Sequence, residues 1–280
     1  MKICRTVSDL QSEVTQVKLE NKTIGLVPTM GALHEGHKSL FNRARQENDV
    51  FISSVFVNPV QFNNKEDFEK YPRDEKRDLA ILEECGCDIV FVPTAEEVYG
   101  NEAPETFTFG ALEQVMEGVQ RPGHFSGVAN IVSRLFLWTK ADRGYFGEKD
   151  YQQIAIIKDM VRQKNIDIEI IPCPIFRDED GLATSSRNVR LSPEARQIAP
   201  KIHQILLNSY RQKDNLAISQ IQSFVEDEFK KVKEFELEYF CLVDDTTLQP
   251  VKVREAKQGV VGCVAVWLDG VRLIDIQRYW

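Results

Sequence analysis

Apolar and polar positions follow two different periods along the chain. Residues 23–28 (TIGLVP), 49–57 (DVFISSVFV) and 88–92 (DIVFV) are short, nearly continuous apolar runs. Their β-branched and aromatic content predicts strands buried on both faces. Residues 35–46 and 74–85 between them predict helices. Farther on, Val128, Ile131, Val132, Leu135 and Phe136 recur at i, i+3, i+4, i+7 and i+8, one apolar stripe along a helix. Residues 143–146 predict a short strand, 152–163 a helix and 166–171 another strand. Strand–helix alternation of this kind predicts an α/β fold with a parallel sheet covered by helices. In such sheets ligands bind beyond the carboxyl ends of the strands, so motifs that directly follow a strand carry extra weight.

The period changes after Phe176. Residues 193–212 predict a helix with Ile198, Ile202, Ile205 and Leu206 on one face, and 216–234 predict a second. Strands follow at 237–243, 260–268 and 271–276. Asp269-Gly270 between the last two is a two-residue hairpin signal. The expected organisation is a Rossmann-like domain over residues 1–176 and a smaller α+β domain with an antiparallel hairpin over 177–280, joined through the polar stretch 177–188.

Composition narrows the functional classes. The 280 residues are 42% hydrophobic with a formal net charge of −8, enough for a core but unsuited to nucleic acid or an anionic lipid surface. Apolar runs such as 260–267 are too short to span a bilayer, and the first residues, MKICRT, lack the apolar stretch of a signal peptide. The six cysteines are scattered, with only Cys85 and Cys87 close together. That pattern predicts reduced thiols in a cytoplasmic protein, not a zinc site.

Four constellations could carry chemistry. The segment from Pro28 through Met30, Gly31, Ala32, Leu33, His34, Glu35, Gly36 and His37 follows the first strand and opens a helix, with two of the chain's four histidines in one turn. A helix N-terminus offers unpaired N–H groups and partial positive charge. Gly36 lets the backbone approach a ligand, and two neutral imidazoles can donate to phosphate oxygens whose charge grows in a transition state. The second constellation is Asn58 and Gln61 after the second strand, amides able to fix hydroxyls and a carboxylate. The third is Gly147, Glu148, Lys149 and Asp150, with Gln153 one turn into the next helix. Lys149 suits an α-phosphate in transfer. The fourth is Thr184, Ser185, Ser186 and Arg187, hydroxyls and a donor fork suited to polyphosphate. Taken singly, the last three are also compatible with turn chemistry, helix capping and a solvated linker.

Two near-matches are excluded and one further motif is absent. His37 breaks the register of a G-x-x-x-x-G-K-S phosphate loop, so Lys38 is out of place. The string GHFSG at 123–127 is one residue out of the nucleophile elbow. No G-x-G-x-x-G occurs, which argues against a dinucleotide site. An early H-x-G-H turn with a late Ser/Arg loop is the layout of Rossmann-like nucleotidyl-transferring domains. That layout fits acid adenylation and nucleotidylyl transfer alike.

Longer strings go further. LVPTMGALHEGH at 26–37, FVNPVQF at 56–62, YPRD at 71–74, RPGHFSGVA at 121–129, YFGEKDYQQ at 145–153, GLATSSRN at 181–188 and RLID at 272–275 together resemble the pantoate–β-alanine ligase family, in order along nearly the whole chain. The resemblance implies ATP with Mg2+ as co-substrate, no tightly bound cofactor, and a pantoyl-adenylate intermediate that β-alanine converts to pantothenate, releasing AMP and pyrophosphate. It implies His37 as the catalytic histidine, with His34 and Lys149 assisting, and residues 30–37 lining the ATP site. Gly147, Glu148, Lys149 and Asp150 would bind ribose and phosphate, and Thr184 to Arg187 would close over the phosphates as part of a C-terminal lid. Gln61 and Gln153 would hold pantoate, with Pro28 and Asn58 beside them, in a cytosolic homodimer. Two positions depart from the family: Thr184 stands where Met is usual, and Phe176, at the adenine side, where Val is usual. The magnesium ligands stay open, with Asp78 a candidate beside Arg77, a position often acidic in relatives.

Overall fold

The computed structural model describes residues 1–100 and 103–280. The chain divides into two compact units. The first comprises Met1–Phe109, Arg121–Gly147 and Gln153–Pro174; the second comprises Gly110–Gln120, Glu148–Gln152 and Ile175–Trp280. The division therefore differs from a single break after residue 176. Two short stretches of the N-terminal part, 110–120 and 148–152, cluster with the C-terminal residues.

The first unit is built on a six-stranded sheet of β1 (Lys2–Cys4), β2 (Ile24–Thr29), β3 (Val50–Val55), β4 (Ile89–Phe91), β5 (Arg143–Gly147) and β6 (Glu169–Cys173). The spatial order is β1-β4-β3-β2-β5-β6, and every neighbouring pair is parallel. Helices cover the sheet. Leu40, Phe41 and Ala44 of the Glu35–Glu47 helix and Leu82 of the Glu75–Glu84 helix pack with Val27, Phe51, Val90 and Tyr145 in one buried cluster. The His124–Thr139 helix packs on β2 and on the Val7–Leu19 helix, and all five positions of its predicted stripe are buried. The chain runs from β2 outward through β3 to β4, then returns to place β5 on the other flank of β2. That reversal puts the topological switch point between β2 and β5, where an open α/β sheet offers a crevice.

Three sequence expectations shift for identifiable reasons. β1 and the Val7–Leu19 helix carry too few core positions to register as a pattern, since the helix buries only Leu10 and Val14. β6 begins at Glu169 instead of 166 because residues 165–166 belong to the end of the preceding helix. Asn165 is left-handed at φ 50, and the Ile166 N–H donates back to the Val161 carbonyl at 3.1 Å, a C-terminal helix closure. The helix expected over 193–212 is two, Pro193–Ile198 and Lys201–Arg211, broken where Pro200 has no N–H to donate.

The second unit holds β7 (Glu236–Asp244), β8 (Val260–Leu268) and β9 (Val271–Arg278) in an antiparallel sheet of that order. The β8–β9 turn has Asp269 at φ 53 and Gly270 at φ 68, as a primed two-residue hairpin requires. Ile202, Ile205 and Leu206 of one helix and Ile221, Val225 and Phe229 of the next (Ile218–Lys231) pack against Phe240, Leu242, Val264, Val266 and Leu273. With Val271 and Leu273 of β9 in that core, alternation places Arg272 and Arg278 on the opposite face.

Those two arginines capture the inserted segments. Arg272 Nη1 and Nη2 donate to the Glu117 carboxylate at 2.8 and 2.7 Å, and its Nε donates to Glu238 Oε2 at 2.9 Å. The Tyr239 hydroxyl also donates to Glu117, at 2.6 Å, and Trp267 Nε1 to Glu238 at 3.0 Å. Burial works against the charge on Arg272, but hydrogen bonds and attraction from Glu117 and Glu238 outweigh it and raise its pKa above the ordinary arginine value. Removing one partner of such a network strands buried charge. Arg272→Ala is therefore expected to lower unfolding free energy by about 3–5 kcal/mol, read as a shifted midpoint in urea denaturation. An unchanged midpoint would show that the network contributes nothing net.

Candidate active site at the carboxyl end of β2

After Thr29 the chain leaves β2 through Met30, Gly31, Ala32 and Leu33 and enters the Glu35–Glu47 helix with His34 as N-cap. Gly31 sits at φ 79 and Ala32 at φ 50, so two successive residues are left-handed. A left-handed alanine costs roughly 1 kcal/mol or more, and the surroundings hold it there. The Gly31 N–H donates to Thr29 Oγ1 at 3.2 Å, while Thr29 donates to the Ser54 carbonyl at 2.7 Å. The Ala32 and Leu33 N–H groups donate to the two carboxylate oxygens of Asp78 at 2.9 and 2.8 Å. Gly31 has no room for a side chain, since a Cβ there would lie 2.7 Å from Asp78 Oδ2.

Asp78 is 1% exposed. Burial pushes its pKa up, and the Leu33 and Ala32 N–H groups pull it back. Each oxygen accepts one turn amide, so the side chain named above as a magnesium candidate also clamps the turn. Among the described residues, no three His, Cys, Asp or Glu side chains gather as a metal site.

The two histidines follow from this turn. The His34 N–H donates to His37 Nδ1 at 3.3 Å, and the two ring centroids lie 4.0 Å apart. This is the reciprocal half of a capping box, with an imidazole in the N3 role usually taken by Glu or Gln. Its consequence is chemical. With Nδ1 accepting, the neutral ring of His37 carries its proton on Nε2 and presents a donor there. Lys38 pairs with Glu35 at 2.9 Å, which agrees with excluding it as a phosphate-loop lysine.

The second expected constellation joins the first. β3 runs into the Pro59–Gln61 turn, capped by Asn58, whose Oδ1 accepts the Val60 N–H at 3.3 Å. Gln61 is 7% exposed, and its Nε2 donates to Met30 Sδ at 2.8 Å. His124 Nδ1 lies 2.8 Å from the Gln61 carbonyl oxygen. Gly127, on the same helix, lets that helix approach: a Cβ there would lie 2.6 Å from Gln61 Cα and from the Val60 carbonyl oxygen. Asn58 is 0% exposed and its amide is fully engaged inside the protein. It was expected among the substrate-binding groups, and here it braces Gln61. Pro28 lies on β2, and Gln153 lies in the first turn of the Tyr151–Lys164 helix.

The remaining expected residues, apart from Gly147 at the end of β5, belong to the second unit. The Glu148–Asp150 turn is fastened to it from both ends. Arg278 Nη2 pairs with Glu148 at 2.7 Å, and the Tyr151 hydroxyl donates to the Asp245 carbonyl at 3.0 Å. Gln152 donates to the Leu112 and Val115 carbonyls at 2.7 and 2.9 Å. Lys149 lies 3.1 Å from Asp150. In the later loop, the Thr184 N–H donates to the Phe176 carbonyl at 3.0 Å and Thr184 Oγ1 to Asp178 at 2.8 Å. Ser185 caps the Ser186–Arg190 turn by accepting the Arg187 N–H at 3.3 Å. The two family-departing residues, Phe176 and Thr184, are thus neighbours bonded through backbone.

A family model described as pantoate-beta-alanine ligase matches residues 2–278. The chain belongs to the pantoate–β-alanine ligase family. The pantothenate synthetase of Bacteroides fragilis is 50% identical over 279 residues, covering 100% of this chain and 99% of that one. That of Cytophaga hutchinsonii is 42% identical over 272 residues, 96% of each chain. The crystal structure of the Thermus thermophilus pantothenate synthetase superposes with a TM-score of 0.93 at 41% identity, covering 100% of both chains. The Francisella tularensis pantoate-beta-alanine ligase, complexed with beta-gamma ATP and beta-alanine, gives a TM-score of 0.82 at 34% identity, covering 100% of this chain and 98% of that one. For this ligase fold the Rossmann-like sheet followed by a small antiparallel α+β unit is shared across those whole-chain superpositions.

Sequence reasoning passed over Thr29, Tyr99 and His124. Thr29 and His124 lie inside the strings LVPTMGALHEGH and RPGHFSGVA without a role of their own, and Tyr99 has no motif around it. Two substitutions test the framework. Asp78→Asn turns one acceptor into a donor facing a backbone N–H. It is expected to cost about 1–3 kcal/mol of stability and to weaken ATP binding, measured by thermal melts with and without nucleotide. Gly127→Ala is expected to cost about 1–3 kcal/mol by overpacking and to raise the KM for pantoate more than that for ATP.

Proposed function

We propose that the chain performs the ATP-dependent condensation of its family, joining pantoate to β-alanine, through a pantoyl-adenylate intermediate. In the first step a pantoate carboxylate oxygen attacks the α-phosphorus of magnesium-bound ATP. A P–O bond forms, the Pα–O–Pβ bond breaks, and pyrophosphate leaves. In the second step the β-alanine amine attacks the acyl carbon, forming the C–N bond as AMP departs and the amine gives up a proton.

The observation that carries this reading is the hydrogen bond from the His34 N–H to His37 Nδ1, at a helix N-terminus beside the sheet's switch point. With Nδ1 accepting, the proton of an uncharged His37 ring lies on Nε2, a donor suited to a phosphate oxygen that gains charge during transfer. His34, with Met30 to Gly36, fits positioning of the same phosphates at the positive end of the helix. Gln61 and Gln153 are read as the pantoate-holding pair, with Pro28 at the strand end. Lys149 is read as stabilising the α-phosphoryl group, Gly147, Glu148 and Asp150 as serving ribose and phosphate, and Thr184, Ser185, Ser186 and Arg187 as phosphate contacts, with Phe176 on the adenine side. Those assignments, the lid role of the C-terminal residues, a homodimeric state and a cytoplasmic setting rest on the family resemblance. No helix among the described residues is long and apolar enough to cross a membrane.

Omission assays test the reading. Pyrophosphate release is expected to require ATP and pantoate but not β-alanine, and AMP release to accompany pantothenate formation. A stable nucleotidylated product would identify a nucleotidylyltransferase instead. Lys149→Ala and His37→Ala are each expected to slow single-turnover pyrophosphate release by roughly 10²–10³-fold, the cost of losing one transition-state donor. An unchanged rate in a folded variant removes that residue from the mechanism.

A further inference from the structure

The amide orientations around Gln61 are dictated by groups whose polarity is not negotiable. Asn and Gln side chains can be placed either way round unless their neighbours decide, and for Asn58 the neighbours are backbone. The Val60 N–H can only donate, and it meets Asn58 Oδ1 at 3.3 Å. The Gly127 carbonyl can only accept, and it meets Asn58 Nδ2 at 3.0 Å. The Tyr99 hydroxyl donates to the same Oδ1 at 2.7 Å. The second hydrogen of Nδ2 points to Gln61 Oε1 at 3.2 Å. All four hydrogen-bonding positions of the Asn58 amide are used, in a side chain that is 0% exposed.

The polarity then passes outward. Because Asn58 offers a donor to Gln61, the atom of Gln61 facing it must be the oxygen. Nε2 therefore faces the other way, toward Met30 of the turn that carries the histidines. A thioether is a weak acceptor, and a carboxylate or hydroxyl oxygen is a stronger one for the same N–H groups. Tyr99 is itself fixed. The Arg134 guanidinium lies over its ring at 5.2 Å and is held by the Asn130 side-chain oxygen at 3.0 Å. Burial pushes the Tyr99 phenol up to about 12, so it remains a donor throughout the neutral range.

We propose that Tyr99 and Asn58 are positioning residues that lock the Gln61 amide as a hydrogen-bond donor, so that this subsite selects an acceptor oxygen of pantoate. The proposal rests on the reading that Gln61 holds pantoate. Asn58→Asp places an oxygen opposite Gln61 Oε1 and favours the reversed amide. Tyr99→Phe removes one donor while keeping the ring under Arg134.

The test is steady-state kinetics of the full-length enzyme with pantoate and ATP varied separately, for Tyr99→Phe, Asn58→Asp, Gln61→Ala and the two pairings with Gln61→Ala. Tyr99→Phe is expected to raise the KM for pantoate about 3–10-fold and Asn58→Asp about 10–100-fold, with the KM for ATP unmoved. Both effects are expected to vanish on the Gln61→Ala background, the non-additivity of residues acting through one another. If Gln61→Ala weakens pantoate while Tyr99→Phe does not, or if the effects add in full, the positioning role is overturned and the Gln61 reading stands. If Gln61→Ala leaves the KM for pantoate unchanged, the Gln61 reading itself falls. Thermal melts confirm folding, and Tyr99→Phe decides the matter if Asn58→Asp does not fold.

Discussion

Three successive backbone amides follow β2, and a buried carboxylate and a hydroxyl supply their acceptors. Gly31 donates to Thr29, and Ala32 and Leu33 donate to the two oxygens of Asp78. Those acceptors help to hold the left-handed Ala32, and leaving a buried amide unpaired would add a cost comparable to the strain. The direction of the turn sets where His34 begins the helix, and the His34 N–H in turn decides which nitrogen of His37 keeps its proton. A single aspartate on a neighbouring helix thus reaches, through two backbone bonds and one cap, to the tautomer of an imidazole.

The same principle of polar saturation separates residues that look alike in sequence. Asn58, Gln61 and Gln152 are all buried amides next to strand ends. Asn58 has every donor and acceptor position filled by protein groups. Gln152 donates to two backbone carbonyls and accepts the Glu117 N–H. Gln61 differs, since its Nε2 meets only a thioether among the bonds that fix it. Hydrogen-bond accounting thus separates Gln61 from Asn58 and Gln152, whose amides meet protein donors and acceptors on both sides.

Much of this fold was legible because burial imposes a period. β2, β3 and β8 are continuous apolar runs, and the His124–Thr139 helix carries its stripe openly. β1 and the Val7–Leu19 helix were not legible, because each lies at a margin of the sheet and buries too few side chains to leave a pattern. The H-x-G-H turn was legible for a different reason, as histidines and glycine after a strand have few structural uses. What holds the turn was not. Asp78 lies far along the chain in a helix whose own pattern is ordinary, and only the fold brings it beneath residues 31–33. Tyr99 is hidden in the same way, being a side chain whose partner is forty-one positions distant.

Membership of a unit is likewise decided by partners and not by position in the chain. Glu148 and Gln152 are adjacent to β5 and to the Tyr151–Lys164 helix, yet Arg278 binds the one and the carbonyls of Leu112 and Val115 bind the other. Glu117 is drawn to Arg272 of the same strand. The outward face of β9 therefore gathers two short stretches that sequence order assigns to the Rossmann-like part. Lys149 and Asp150 lie within one of them, while Gln153, the residue after Gln152, is counted with the first unit. An arginine near the C-terminus thereby fixes the backbone that carries a lysine more than a hundred residues earlier, at a cost no larger than one partly exposed ion pair.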